Sequence, residues 1–125
     1  MLVSEEEIIG LKNLVLQLNS KTNCIVAVEG KRDSSALRKV GYCGKILEFH
    51  KFKGMVDFTD YVAQYEKIIL LFDRDKKGRY LTGKTIHLLQ RRIKVDLSYN
   101  RKLREVTKGK STFIEQLVCY ESFLV

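Results

Sequence analysis

At 125 residues, 45% of them apolar and with no low-complexity tract, the chain is the size of one domain built on one core, which excludes a disordered or fibrous protein. No apolar run approaches the ~20 residues of a membrane helix, so no membrane partner is expected. The net charge of +8 is unevenly placed, because residues 74–110 carry thirteen lysines and arginines against three acids while the rest of the chain is net −2. A basic segment of that kind attracts polyanions, nucleic acid first and nucleotide phosphates second.

Ser4 and Glu7 form a capping-box pair that opens a first helix, with Ile8, Leu11, Leu14, Val15 and Leu18 as its apolar stripe to about Asn19. The acidic start, MLVSEEEIIG, is unlike a signal peptide, and a cytoplasmic protein is expected. CIVAVEG (24–30) reads as a short buried strand that ends in an acid and a glycine. Asp33 is placed to cap a second helix carrying Ala36, Leu37 and Val40, which Gly41 stops. KILEF (45–49) is a second strand, followed by a helix with Phe58, Tyr61, Val62 and Tyr65 on one face and Asp57 as its cap. KIILLF (67–72) is a third strand, apolar enough to be buried on both faces of a parallel sheet. A helix over Leu81 to Arg92 and a weaker edge strand, IKVDL (93–97), come next. The tail holds a basic helix near Ser98 to Val106, then a second capping box, Thr112 with Glu115, that opens a last helix. Cys24, Cys43 and Cys119 contain no CxxC pair, which argues against a zinc site or a disulfide framework and leaves them as buried thiols.

Strands alternating with helices predict an α/β three-layer sandwich with a four-stranded, mainly parallel central sheet, the whole chain forming one domain around a core at about 22–100. Ligands of such sheets sit beyond the carboxyl ends of the strands. That rule directs attention to Glu29-Gly30 after the first strand and to Asp73-Arg74-Asp75 after the third. If those strands are neighbours, three carboxylates meet at one rim. Like charges there call for a cation, and hard divalent ions favour oxygen donors. The bases close by in sequence, Lys31, Arg32, Arg74, Lys76, Lys77, Arg79 and Lys84, would then hold a nucleic-acid backbone.

AVEGKRD (27–33) followed by LLFDRDKKG (70–78) resembles the Toprim domain, which pairs a strand-end Glu-Gly with a later DxD, commonly DxDxxG. EGKRD is most similar to the small Toprim nucleases, such as the one that matures 5S ribosomal RNA, and to stand-alone archaeal Toprim proteins. The resemblance implies a Rossmann-like sandwich and Mg²⁺-dependent phosphodiester chemistry, with Mn²⁺ as a substitute ion. It implies Glu29 as general acid/base or metal ligand, Asp73 and Asp75 as metal ligands, and Gly30 and Gly78 as backbone turns at the site. Asp33 matches a frequent family acid, and Asp96, at the end of the fourth strand, is a candidate outer ligand. The chain lacks the separate tyrosine-bearing domain of a topoisomerase and the zinc-binding region of a primase. The expectation is therefore a small nuclease acting on RNA or structured nucleic acid. The alternative is a non-catalytic binding module with protein partners in a larger processing assembly.

Two rival signals stand beside this one. Gly78 to Thr85 spells GxxxxGKT, a phosphate-cradling P-loop that would bind NTP, although DRDKK separates it from the preceding strand. A phosphatase reading, with Asp73 as covalent nucleophile and Asp75 as acid, leaves Glu29-Gly30 unexplained. His50 and His87 stand alone and read as surface or structural, while Tyr80 and Tyr99 are candidates to stack on bases.

Overall fold

The computed structural model describes residues 3–124. In chain order it contains α1 (Glu5–Asn19), β1 (Cys24–Val28), α2 (Lys31–Lys39), β2 (Ile46–Glu48), a 3₁₀ turn (Phe49–Lys51), α3 (Met55–Val62), β3 (Lys67–Leu70), α4 (Lys76–Leu89), β4 (Lys94–Asp96), α5 (Ser98–Val106) and a 3₁₀ helix (Ile114–Phe123). The four strands form one sheet in the order β2-β1-β3-β4, and every pairing is parallel. The expected three-layer α/β sandwich is thus what the chain forms, with β1 and β3 as the central pair.

Both central strands are buried on both faces, and alternate residues enter opposite cores. Val26, Val28, Ile69 and Leu71 join α1, α2, α5 and the C-terminal 3₁₀ helix in one core. Ile25, Ala27, Ile68, Leu70 and Phe72 join α3 and α4 in the other. Full burial of each such Val, Ile, Leu or Phe side chain contributes roughly 1.5–3 kcal/mol. In the second core Phe58 meets Phe49 edge-on at 5.3 Å and Phe72 at 6.0 Å. A cap network ties the chain's ends together. Glu7, at 2% exposure, receives hydrogen bonds from Ser4, from Lys110 Nζ at 2.7 Å and from the Tyr120 hydroxyl at 2.6 Å. Led by the Lys110 hydrogen bond, these contacts hold its carboxyl down at about 2.

The structure corrects several local readings. Asp33 is not the cap of α2. It is the third helical residue, reaching back to accept the N–H of Gly30 at 3.0 Å. Asp57 does the same in α3, accepting from Lys53 N–H. Helix α4 begins at Lys76 rather than Leu81, because Asp75 caps it by accepting Gly78 N–H at 2.7 Å. The Thr112–Glu115 capping box does not form. Gln116 accepts the N–H groups of Thr112 and Phe113 instead, and the segment winds as a 3₁₀ helix. Of the three free cysteines, only Cys24 is partly buried; Cys43 and Cys119 are exposed. No described helix is long and apolar enough to cross a membrane.

Candidate active site at the rim of the central strands

The register of the two central strands builds the site. Ala27 pairs with Leu70, and Leu71 N–H continues the ladder to Ala27 C=O at 2.9 Å. Glu29 therefore leaves β1 at the level where Asp73 leaves β3. The Glu29 carboxylate accepts the backbone N–H of Asp73 at 2.7 Å, linking residues 44 positions apart. Asp73 Oδ1 in turn accepts Ile114 N–H at 2.9 Å. Arg74 N–H donates to Thr112 C=O at 2.9 Å, and Asn100 Nδ2 donates to Phe72 C=O at 2.8 Å. The acidic turn is thus pinned from β1, from α5 and from the C-terminal segment.

The acids here lie close enough to resist ionisation. Burial, reinforced by the charges of Asp73 and Asp75, pushes the Glu29 carboxyl up to about 7. Asp73 is also raised, first by burial, and the Glu29 and Asp73 carboxyls lie within hydrogen-bonding reach of each other. Asp33, 7% exposed, is pushed up to about 6 by burial and by the charge of Asp73. Glu115 adds a further negative field to both aspartates. Glu29, Asp33, Asp73, Asp75 and Glu115 thus form one cluster, and none of them is in a salt bridge with a lysine or arginine among the described residues.

As the side chains stand, no three His, Cys, Asp or Glu among the described residues are gathered so that they could hold a metal ion. One oxygen each of Glu29, Asp73 and Asp75 is engaged by a backbone N–H. Among the described residues, the second oxygen of each accepts no backbone hydrogen bond. Mg²⁺ keeps most of its waters and is held by one or two carboxylates with substrate phosphate. The donor set fits an ion of that class in an open site, and fits a soft metal poorly.

The two glycines differ. A Cβ on Gly78 would lie 1.9 Å from the carbonyl oxygen of Asp73 and 2.6 Å from its carbonyl carbon, so only glycine lets α4 start against the acidic turn. Gly30 is extended at φ −148°, and a Cβ there would meet nothing within 4 Å, so no turn requires it. Asp96 stands apart from the cluster. It binds Lys67 at 3.1 Å and caps Ser98 N–H at 2.8 Å, which is a strand-end structural role.

Beside Asp73 lies a cleft of about 350 Å³ between α4 and α5, lined by Arg74, Arg79, Asn100, Arg101 and Arg104. A second hollow of about 270 Å³ shares Arg74, Arg79 and Arg104 and reaches Ser111 and Thr112. Of the seven cations read as nucleic-acid contacts, Arg74 and Arg79 line these clefts. Lys31, Arg32, Lys76 and Lys77 are exposed at the first turns of α2 and α4. Lys84 sits well inside α4, away from its N-terminal turn. All of residues 78–85 are helical, with Gly78 N–H consumed by Asp75, so the GxxxxGKT segment forms no phosphate loop. Tyr99 is 3% exposed and unavailable for stacking, whereas Tyr80 is 61% exposed. His50 is exposed and bound to Glu48 at 2.8 Å, and His87 is exposed on α4.

Sequence reasoning missed Asn100, read Glu115 only as a capping residue, and placed Arg101 and Arg104 in the basic helix of the tail. Only the fold brings α5 and the C-terminal segment to this rim.

No family model matches the chain. It is 31% identical over 93 residues to a UPF0292 protein of Pyrococcus furiosus, covering 74% of this chain and 70% of that one. A UPF0292 protein of Thermococcus sibiricus is 32% identical over 96 residues, with 76% and 75% covered. One from Methanosarcina acetivorans is 30% identical over 118 residues, with 91% and 81% covered. A solved protein structure from Aquifex aeolicus superposes with a TM-score of 0.70 at 28% identity, over 85% of this chain and 96% of that chain.

Proposed function

The chain belongs to the UPF0292 family, and we propose that it is a small Toprim-like nuclease performing Mg²⁺-dependent phosphodiester hydrolysis on RNA or structured nucleic acid. One observation carries the proposal: Glu29 and Asp73, 44 residues apart, are hydrogen-bonded at the C-terminal rim of β1 and β3, in an acidic cluster that opens beside an arginine-lined cleft. Carboxylates and guanidiniums segregated in this way suit a cation on one side and a polyanion on the other.

Asp73 and Asp75 would hold the ion, with Glu29 beside them left for proton transfer. Bound there, Mg²⁺ or Mn²⁺ supplies Lewis-acid stabilisation of the charge on the attacked phosphate. The chain's own residues supply the rest. Glu29, poised near neutrality, is suited to take a proton from the attacking water or to return one to the leaving oxygen. A water oxygen adds to phosphorus as the bridging P–O bond breaks, and the leaving oxygen receives the proton. Arg74 and Arg79 neutralise the strand's phosphates, while Gly78 keeps the acidic turn close to the start of α4.

The test incubates the purified protein with structured RNA and with single- and double-stranded DNA, with Mg²⁺ or with chelator. Metal-dependent cleavage that disappears in both Glu29→Gln and Asp73→Asn is the expected result. A second reading, a non-catalytic nucleic-acid-binding module of a larger assembly, draws on the backbone hydrogen bonds that already engage all three carboxylates. Tight binding without cleavage under every metal condition would favour it.

A further inference from the structure

The two adjoining hollows between α4, α5 and the C-terminal segment share three guanidiniums, those of Arg74, Arg79 and Arg104. A surface that tracks an internal backbone spreads its cations so that each meets one singly charged phosphodiester. Here three arginines from two helices and a turn line the same recess, with Arg101 on the margin of the larger part. Among the described residues, no carboxylate makes a salt bridge to any of the four.

The recess is also built. Asn100 donates through Nδ2 to Phe72 C=O at 2.8 Å, and its Oδ1 accepts from Arg74 Nη1 at 3.3 Å, aiming a partly buried guanidinium into the cleft. Arg74 N–H is meanwhile held by Thr112 C=O. Burial and the nearby charges of Arg104 and Arg79 depress the Arg74 pKa, which bears out how closely the three are gathered.

We propose that Arg74, oriented by Asn100, together with Arg79 and Arg104 forms a subsite for a terminal phosphate monoester of a nucleic-acid strand, adjoining the acidic cluster through Asp73. Charge selects the monoester. A terminal phosphate carries close to two negative charges at neutral pH and three acceptor oxygens, where an internal diester carries one charge. Convergent arginine forks match that anion better than they match a diester. Arg74 follows Asp73 directly in the chain, so a strand anchored by its end would present a linkage close to that end to the acids. The proposal rests on the nuclease reading for its choice of ligand, but its binding step needs neither metal nor cleavage.

The experiment measures binding in chelator, by fluorescence anisotropy, of short oligoribonucleotides of one sequence bearing a 5′-phosphate, a 3′-phosphate or neither. One phosphorylated end should bind the wild-type protein roughly tenfold more tightly than the unphosphorylated strand, the scale of one or two charge-assisted hydrogen bonds. The arm that gains identifies which end is held. Arg104→Ala and Arg79→Ala change exposed side chains and should abolish the preference while leaving the melting temperature near wild type. Asn100→Asp should abolish it too, by giving Arg74 a carboxylate partner without removing an arginine. Equal binding of all three strands, or a preference that survives Arg104→Ala, overturns the proposal. If no strand binds, yet inorganic phosphate raises the melting temperature of wild type and not of Arg104→Ala, the anion pocket stands and the nuclease reading fails.

Discussion

Glu29 shows how a single side chain can be useful and costly at once. Its ordinary pKa is 4.5, and in the fold burial beside Asp73 and Asp75 moves it to about 7. Between those values the unfolded chain has released the proton and the folded chain still holds it. Folding then takes up a proton, so stability falls as pH rises across that interval and the loss is complete above it. Asp33, raised from 3.8 to about 6, acts in the same direction over a slightly lower window. In Glu29→Gln the amide oxygen can still accept Asp73 N–H, while the charge is gone. Metal-free Glu29→Gln should therefore melt a few degrees above wild type near pH 8 and close to it near pH 5. Because the side chain is only partly buried, the gain is on the order of 1 kcal/mol or less. Thermal denaturation in chelator at the two pH values checks this. A variant that melts lower than wild type near pH 8 would mean that the Glu29 charge holds the fold together instead of straining it.

At the scale of elements, the joint between the acidic turn and α4 decides the site's shape. Gly78 is the third residue of α4, and its missing Cβ is what lets the helix abut the Asp73 carbonyl. Gly78→Ala forces backbone apart and pulls on the Asp75 cap, a cost of about 1–3 kcal/mol. Gly30→Ala, at an extended φ with open space around it, should stay within ~0.5 kcal/mol of wild type. Urea unfolding of both variants separates the two. Equal losses would mean that the close approach at Gly78 is not what fixes the turn. The same joint shows what the sequence could and could not convey. The two central strands were legible because five consecutive apolar residues bounded by polar ones admit few other readings. The first turn of α4 was not, since Lys76, Lys77 and Arg79 present no apolar stripe; its one signal was an aspartate three residues before a glycine. The last helix concealed its type for a related reason. Ile114, Leu117 and Tyr120 recur every three residues, the 3₁₀ period, which a capping-box signal upstream does not distinguish from an α-helix.

For the whole molecule, the strand order β2-β1-β3-β4 matters more than any local motif. The Glu-Gly and DxD signals pointed to a rim, but local sequence could state their meeting only as a condition on strand adjacency. Long-range hydrogen bonds such as Glu29 to Asp73, Asp73 to Ile114 and Asn100 to Phe72 belong to topology and have no signature in spacing. The charge asymmetry follows the same logic. The basic segment 74–110 is continuous in sequence, yet the fold divides it. Arg74, Arg79, Arg101 and Arg104 line the cleft, while Arg92 and Lys108 are drawn into pairs with Asp60 and Glu6. A charge count over the segment therefore overstates the number of phosphates engaged. Binding to nucleic acid releases about one counterion per phosphate contacted, and log K falls linearly with log salt at a slope set by that number. The wild-type slope should stay at or below roughly four, set by the cleft arginines, and not approach the thirteen cations of the segment. Arg104→Ala should flatten the slope by about one, and Arg92→Ala, removed from the cleft and paired with Asp60, should leave it unchanged. Anisotropy titrations across a salt series read both effects. A slope near the full cation count would move the interface from the cleft to the whole basic surface, and a flat response would remove nucleic acid as the ligand.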